Sequence, residues 1–233
     1  MAGGITHLVI ANKIENKLRD GIITNKGLFY AGAIAPDAIN QRENYVRADK
    51  KHSHLRDDIT DVEFIKEENL SVFYKRVNKF INNGIINYSD IIDLYKGYVV
   101  HLLSDEMFLR TVRPNFITKM DKLGIVPTDI LFRDILLNEL DKHDLILIRD
   151  NIKIEEIYNL LKITRMYDVE GYIRKKELDL SISWIHNMFL RNKEEESIKL
   201  QYILYEEIQN YIDKTVDEII ERLSTGKTII KLF

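Results

Sequence analysis

The spacing of apolar and polar residues along the chain predicts helices. The clearest pattern spans residues 88–109, where residues at steps of four, three, four and three fall on one helical face. That face carries Leu94, Tyr98, His101, Asp105 and Phe108. An imidazole and a carboxylate therefore lie in line with apolar side chains, and we expect the fold to carry both into the interior.

Burying a charged carboxylate costs several kcal/mol unless another group pairs with it. His101 and Asp105 are one helical turn apart, so they could pair with each other or bind a metal ion together. On the helix alone a buried structural ion pair is favoured, because such pairs often fill these positions, so support for a metal must come from the rest of the sequence.

Six further segments have helical patterns, and the 3 Pro and 10 Gly of the chain fit long helices better than many short strands with turns. The six segments are residues 6–19, 62–82, 129–149, 154–167, 169–191 and 194–223. Residues 25–61 lack a period and are predicted to form a long N-terminal loop, and Pro114 is predicted to end the central helix. The pattern favours one all-α domain of seven or eight helices over residues 1–233. Within it, residues 1–115 are expected to hold the metal site. Residues 116–233 are expected to pack as helices against that part or to form a homo-oligomer interface.

Composition narrows the classes of protein further. The 233 residues are 45% hydrophobic and 30% charged, with a formal charge of -3, which offers no general attraction to nucleic acid. No cysteine is present, so any metal must be held by nitrogen and oxygen ligands. No signal peptide or membrane-spanning stretch is evident, and a cytoplasmic location is expected.

Potential metal ligands are concentrated near the amino terminus. Four of the six histidines fall within the first 101 residues, and Asp37 and Asp105 complete a set of potential metal ligands on separate segments. These residues are His7, Asp37, His52, His54, His101 and Asp105. Imidazole and carboxylate groups suit Zn²⁺, with Mn²⁺ or Fe²⁺ as alternatives, and a carboxylate can bridge two metals for phosphoester hydrolysis.

Four segments of the first half resemble the bacterial zinc-dependent phospholipase C family, which is related in fold to single-strand nucleases. They are THLVIAN (6–12), GAIAPD (32–37), SHLRD (53–57) and YVVHLLSD (98–105), and their order and approximate spacing agree with the family. The resemblance implies a multi-helix domain with metals held between helices. It also implies an enzyme that attacks a phosphoester with metal-activated water.

The resemblance further implies a role for each residue. Asp37, His54, His101 and Asp105 would hold one zinc, and Asp105 would bridge to a second zinc shared with His7. Asp37 would also orient or deprotonate the attacking water. In secreted members the mature amino terminus completes the second site. One or two zinc ions are therefore expected.

Ligands for a third zinc are missing from their expected positions. Thr111 stands where the family has a histidine, and the nearest substitute is Glu139 with His143. One turn apart on a helix, these two could bind a metal, but an exposed salt-bridging pair is the favoured interpretation. His52 is an alternative ligand, a hydrogen-bonding partner of a ligand, or a surface residue. Five basic residues around the predicted site could attract a phosphate group: Arg42, Arg47, Lys50, Lys51 and Arg56.

Two functions remain open at this stage. The first is a metal-dependent phosphoesterase acting on a small phosphate ester or a phospholipid head group. The second is a non-enzymatic helical module, in which the same ligands hold a structural zinc and the C-terminal helices bind a partner protein. A structural zinc is fully enclosed by protein ligands, whereas a catalytic zinc keeps one position open.

Overall fold

The computed structural model describes residues 2–194 and 197–225. Within these ranges the chain forms nine α-helices and no strand, which confirms the all-α prediction. The helices are α1 (Gly4–Lys17), α2 (Lys26–Ala38), α3 (Arg47–Ser53), α4 (Glu67–Asn87), α5 (Ile92–Asp121), α6 (Ile130–Asp150), α7 (Lys153–Ile163), α8 (Lys175–Glu194) and α9 (Tyr205–Thr225). Two short 3-10 turns, Ile39–Gln41 and Ser89–Ile91, follow α2 and precede α5.

Helix α5 forms the centre of the fold. Almost every residue between Leu94 and Leu109 is buried, and α5 packs against α1, α2, α4 and α9. Pro114 does not end this helix as predicted, because α5 continues to Asp121. A proline inside a helix costs about 3 kcal/mol. The burial of Phe116 and Met120 beyond it offsets that cost.

Helix α2 is the main difference from the predicted loop over residues 25–61. Its sequence KGLFYAGAIAPDA is buried along nearly its whole length, against α1, α5, α7 and α8. Because every face meets protein, the segment lacks the polar side that identifies an amphipathic helix in a sequence. Asn25 caps its start by accepting a hydrogen bond from the backbone N–H of Leu28.

Two glycines allow α2 and α5 to cross with their backbones in contact. A Cβ atom on Gly97 would lie 1.9 Å from the carbonyl oxygen of Phe29, and one on Gly32 would lie 2.1 Å from that of Leu94. Only glycine permits so close an approach. The crossing brings the end of α2, with Asp37, next to His101 of α5.

Several other boundaries also differ from the prediction. Helix α8 begins at Lys175 because residues 164–174 form a turn around Gly171, where φ is 81°. Helix α9 begins at Tyr205, since residues 197–204 are irregular. None of the described helices has a stretch long and apolar enough to cross a membrane.

Candidate metal centre

Four segments that are distant in sequence meet beside α5. Helix α1 supplies His7, α2 supplies Asp37, and His54 follows the last residue of α3, while α5 supplies His101 and Asp105. These residues form two overlapping groups whose potential ligand atoms lie within 4.8 Å of one another. One group is His7, His101 and Asp105, and the other is Asp37, His54 and His101.

The distances between these atoms match the separation of ligands around one ion. His54 Nε2 lies 3.4 Å from Asp37 Oδ1, from Asp105 Oδ2 and from His101 Nε2. His101 Nε2 is 3.8 Å from Asp105 Oδ2, and His7 Nε2 is 3.5 Å from Asp105 Oδ1. Ligands bound tetrahedrally to zinc at about 2.0–2.1 Å lie about 3.4 Å apart.

Backbone carbonyls orient two of the three histidines. His101 Nδ1 donates to the carbonyl of Ala33 at 2.8 Å, and His54 Nδ1 donates to the carbonyl of Lys50 at 2.9 Å. A carbonyl oxygen can only accept, so these contacts place the ring proton on Nδ1. In the neutral ring Nε2 then carries a lone pair, which points into the cluster.

A serine orients the third histidine in the same way. His7 Nδ1 lies 3.1 Å from Ser104 Oγ, and that hydroxyl donates to the carbonyl of Val100 at 2.7 Å. Because the serine proton is used in that bond, Oγ accepts from His7 Nδ1. His7 Nε2 is consequently also a lone-pair atom that faces Asp105.

This arrangement fits a bound cation. The Nε2 atoms of His54 and His101 face each other with no proton between them when both rings are neutral, and a cation would remove their mutual repulsion. His7 Nε2 and Asp105 Oδ2 are buried and make no hydrogen bond. Buried polar atoms are nearly always paired, so unpaired ones that converge indicate a ligand.

The electrostatics of the site favour the protonation states that bind metals. Burial, followed by the neighbouring His7 ring, lowers the pKa of His101 to about 3, and burial lowers the pKa of His54. Burial opposes ionisation of Asp37, but the charge of Lys50 holds the pKa of this carboxyl well below its usual range. Neutral imidazoles and an ionised carboxylate are therefore present at neutral pH.

A cavity of about 290 Å³ adjoins the cluster. Its polar lining includes Asp37, Lys50 and His101, and its apolar lining includes Leu137 of α6 and Trp184 of α8. The cavity reaches the surface, since Leu137 and Trp184 are 51% and 36% exposed. The C-terminal half of the chain therefore contributes to the walls of the site.

Two contacts near the amino terminus were not evident from the sequence. The backbone nitrogen of Ala2 donates to Asp105 Oδ1 at 3.0 Å. Asp144 of α6, buried beside the start of α1, accepts hydrogen bonds from the backbone N–H groups of Ile5 and Thr6 at 3.0 and 2.9 Å. Asp144 thus fixes the first turn of the helix that carries His7, a contact between residues 138 positions apart with no local signal.

The structure does not bring His52 into the cluster. Its Nδ1 lies 3.1 Å from Asp57 Oδ1, its ring stacks on Tyr172, and about half of its side chain is exposed. His52 therefore occupies a surface position, although it is only two residues from His54.

Glu139 and His143 also lie outside the two groups. Glu139 Oε2 accepts hydrogen bonds from the backbone N–H groups of residues 201–203, which anchors the irregular segment before α9. His143 Nε2 donates to the carbonyl of Ile203 at 2.9 Å. These contacts account for a buried Glu and His one turn apart without a metal.

The fold and the converging ligands define a helical protein with a candidate histidine–aspartate metal centre. Residues 6–107 match the family model described as zinc dependent phospholipase C, and this match confirms the resemblance of the four segments. The match includes all five residues of the two groups. Comparison with curated proteins and with solved structures finds no significant match. The family match and the residue cluster together support a metal-dependent hydrolase.

Proposed function

We propose that the protein is a zinc-dependent phosphoesterase of the phospholipase C type, with Asp37, His54, His101, Asp105 and His7 as metal ligands. The observation that carries this proposal is the convergence of oriented, unprotonated ligand atoms from four segments next to a surface cavity. A bound metal would lower the pKa of a coordinated water toward about 7 and neutralise charge on the phosphoryl oxygens.

The positions of the two aspartates suit them to different catalytic roles. Asp105, which faces His7 with one oxygen and His54 with the other, is suited to bridge two ions. Asp37 lines the cavity, and its side chain is 23% exposed to solvent. An ionised carboxylate at that position can accept a hydrogen bond from the attacking water and orient it toward phosphorus. Both residues are therefore proposed as catalytic.

The substrate class follows from the cavity. A volume of about 290 Å³ and an apolar wall with Leu137 and Trp184 suit a phosphodiester that carries an apolar group. A phospholipid, with its head group at the metal centre, and a small aryl phosphodiester both meet that description.

A purely structural zinc is less well supported. A structural site is enclosed, with all four positions taken by protein ligands. Here Asp37 and His101 line a cavity that reaches the surface. This opening favours a catalytic role over the module that only binds a partner protein.

Metal analysis combined with turnover tests the proposal. The protein is purified without added metal, depleted with a chelator and reloaded with zinc. The number of zinc ions per chain is then measured. Hydrolysis of a bis-aryl phosphodiester and of a short-chain phospholipid is followed on the same samples. We expect up to two zinc ions and turnover that is lost in Asp105→Asn. The matched control Asp57→Asn changes an aspartate that pairs with exposed His52 and lies outside both ligand groups. It should keep wild-type zinc content and turnover.

The outcomes separate the two functions. One tightly held zinc without turnover, together with cooperative unfolding on chelation, would indicate the structural module. Absence of bound metal in the wild-type protein would refute both functions and leave His101 and Asp105 as members of a buried ion-pair network.

A further inference from the structure

The five basic residues near the site have different partners. Arg42 pairs with Glu177 at 2.7 Å, and Arg47 and Arg56 both pair with Asp61. Lys50 is the one of the five that lines the cavity. Of the five basic residues that were predicted to lie near the site, Lys50 is therefore the one that can contact a ligand in the cavity.

Lys50 is unusual because it is a lysine almost completely removed from solvent. Its side chain is 8% exposed, and Nζ lies 2.9 Å from Asp37 Oδ1. Its backbone carbonyl accepts from His54 Nδ1, which fixes the lysine's position relative to the cluster. A buried ammonium group needs an anionic partner, and Asp37 provides it in this state.

One carboxylate oxygen of Asp37 lies close both to the lysine and to a proposed metal ligand. Asp37 Oδ1 faces Lys50 Nζ on one side and His54 Nε2, at 3.4 Å, on the other. A cation bound between Asp37 and His54 would take up the carboxylate charge that now neutralises the lysine. Lys50 would then be a buried cation in need of another anion, and the cavity that it lines is where that anion can reach it.

We propose that Lys50 binds a non-bridging oxygen of the substrate's phosphoryl group, so that the ligand class of the cavity is an anionic phosphate ester. This inference rests on the proposed function and adds a residue that binds the substrate directly. An ammonium group offers three hydrogen-bond donors and a compact charge, both suited to a phosphoryl oxygen.

Binding of inorganic phosphate to the zinc-loaded protein tests the role of Lys50. We expect Lys50→Met to bind phosphate about 10- to 100-fold more weakly in calorimetry, the effect of losing one charged hydrogen bond. Lys50→Arg should stay within about threefold of wild type, since it keeps the charge. Lys51→Met, which changes the neighbouring lysine outside the cavity lining, is the matched control and should bind as wild type does.

Zinc content and zinc affinity provide a second measurement. Because Lys50 competes with a cation for Asp37, we expect Lys50→Met to bind zinc as tightly as wild type or more tightly. For the bis-aryl phosphodiester, KM should rise in parallel with the phosphate dissociation constant. Lys50→Gln keeps a hydrogen-bond donor without the charge and replaces Lys50→Met if that variant does not fold.

Failure of this inference differs from failure of the proposed function. Wild-type phosphate affinity in Lys50→Met and Lys50→Gln, with full zinc content, would overturn the role of Lys50 alone. Loss of zinc from Lys50→Met would also overturn it, because the lysine would then be needed to form the metal site. Absence of zinc in the wild-type protein would overturn both.

Discussion

Replacing Asp105 by asparagine should remove most of the stabilisation that zinc gives to the folded protein. The carboxylate lies between the two groups, with Oδ1 3.5 Å from His7 Nε2 and Oδ2 3.4 Å from His54 Nε2. Asparagine preserves the shape of the side chain but removes its charge. A single change therefore weakens both groups while the packing of α5 is retained.

The size of the effect follows from linkage between binding and folding. Zinc at 100 times its dissociation constant stabilises the folded state by about 2.7 kcal/mol. For a chain of this length, 1 kcal/mol corresponds to roughly 2–4 °C in Tm, so wild type should gain about 5–11 °C. If Asp105→Asn weakens zinc binding about 100-fold, the same zinc concentration contributes only about 0.4 kcal/mol, or roughly 1–2 °C.

Thermal unfolding of chelator-treated protein, followed by circular dichroism with and without zinc, measures both values. Each variant is compared with itself, so a change in the stability of the metal-free variant cancels. Asp57→Asn should show the full wild-type gain. An equal gain in Asp105→Asn and wild type would refute the bridging position of Asp105, and no gain in wild type would refute the metal centre.

Three further predictions concern stability. Glu106→Gln removes one of two carboxylates that lie 2.9 Å from the buried guanidinium of Arg222, the other being Glu218. It should lower the free energy of unfolding in urea by about 2 kcal/mol, whereas an unchanged value would refute this contribution. Gly97→Ala should prevent cooperative folding, because its Cβ would meet a carbonyl at 1.9 Å; Gly21→Ala, with open space but a φ of 84°, should cost only about 1 kcal/mol. The pKa of His101 is about 3 when folded and about 6.5 when unfolded, so its contribution to metal-free stability is complete above pH 6.5. As pH falls from 6.5 toward 3, the free energy of unfolding measured in urea should fall by up to about 1.4 kcal/mol per pH unit. A free energy of unfolding that does not change over this range would contradict the prediction.

The sequence was informative wherever the structural signal is local. The steps between His101, Asp105 and their apolar neighbours predicted one buried helical face, and all of these residues are buried in α5. The i,i+4 relation of His and Asp is a property of any helix, so it needed no knowledge of the fold. The other three residues of the two groups were predicted by resemblance of short segments, since no period links one segment to another.

Helix α2 shows why the rest of the fold was harder to predict. A helix that is apolar on every face has no amphipathic period, so the segment was predicted to be part of a loop. What makes the segment helical is its burial between four neighbouring helices. That environment exists only once the whole chain has folded, so it leaves no local pattern.

Contacts between distant residues had no sequence signal at all. Lys50 looked like one of several exposed basic residues in a charged segment, yet its ammonium group is paired with Asp37 in the interior. Asp144 was not predicted to contact α1, yet it accepts hydrogen bonds from backbone N–H groups in the first turn of that helix. Both outcomes depend on which helices pack together, and residue type does not encode that.

The precision of the site comes from backbone positions as much as from its ligands. His101 and His54 have their Nε2 atoms aimed at the cluster because carbonyls of Ala33 and Lys50 accept from their Nδ1 atoms. Ala33 lies one residue from Gly32, at the crossing where α2 touches α5. A change in that crossing would move the carbonyl that orients the His101 ring. We therefore expect the glycines at the crossing to influence metal affinity as well as folding, because the distance between the helices sets the direction of a proposed ligand.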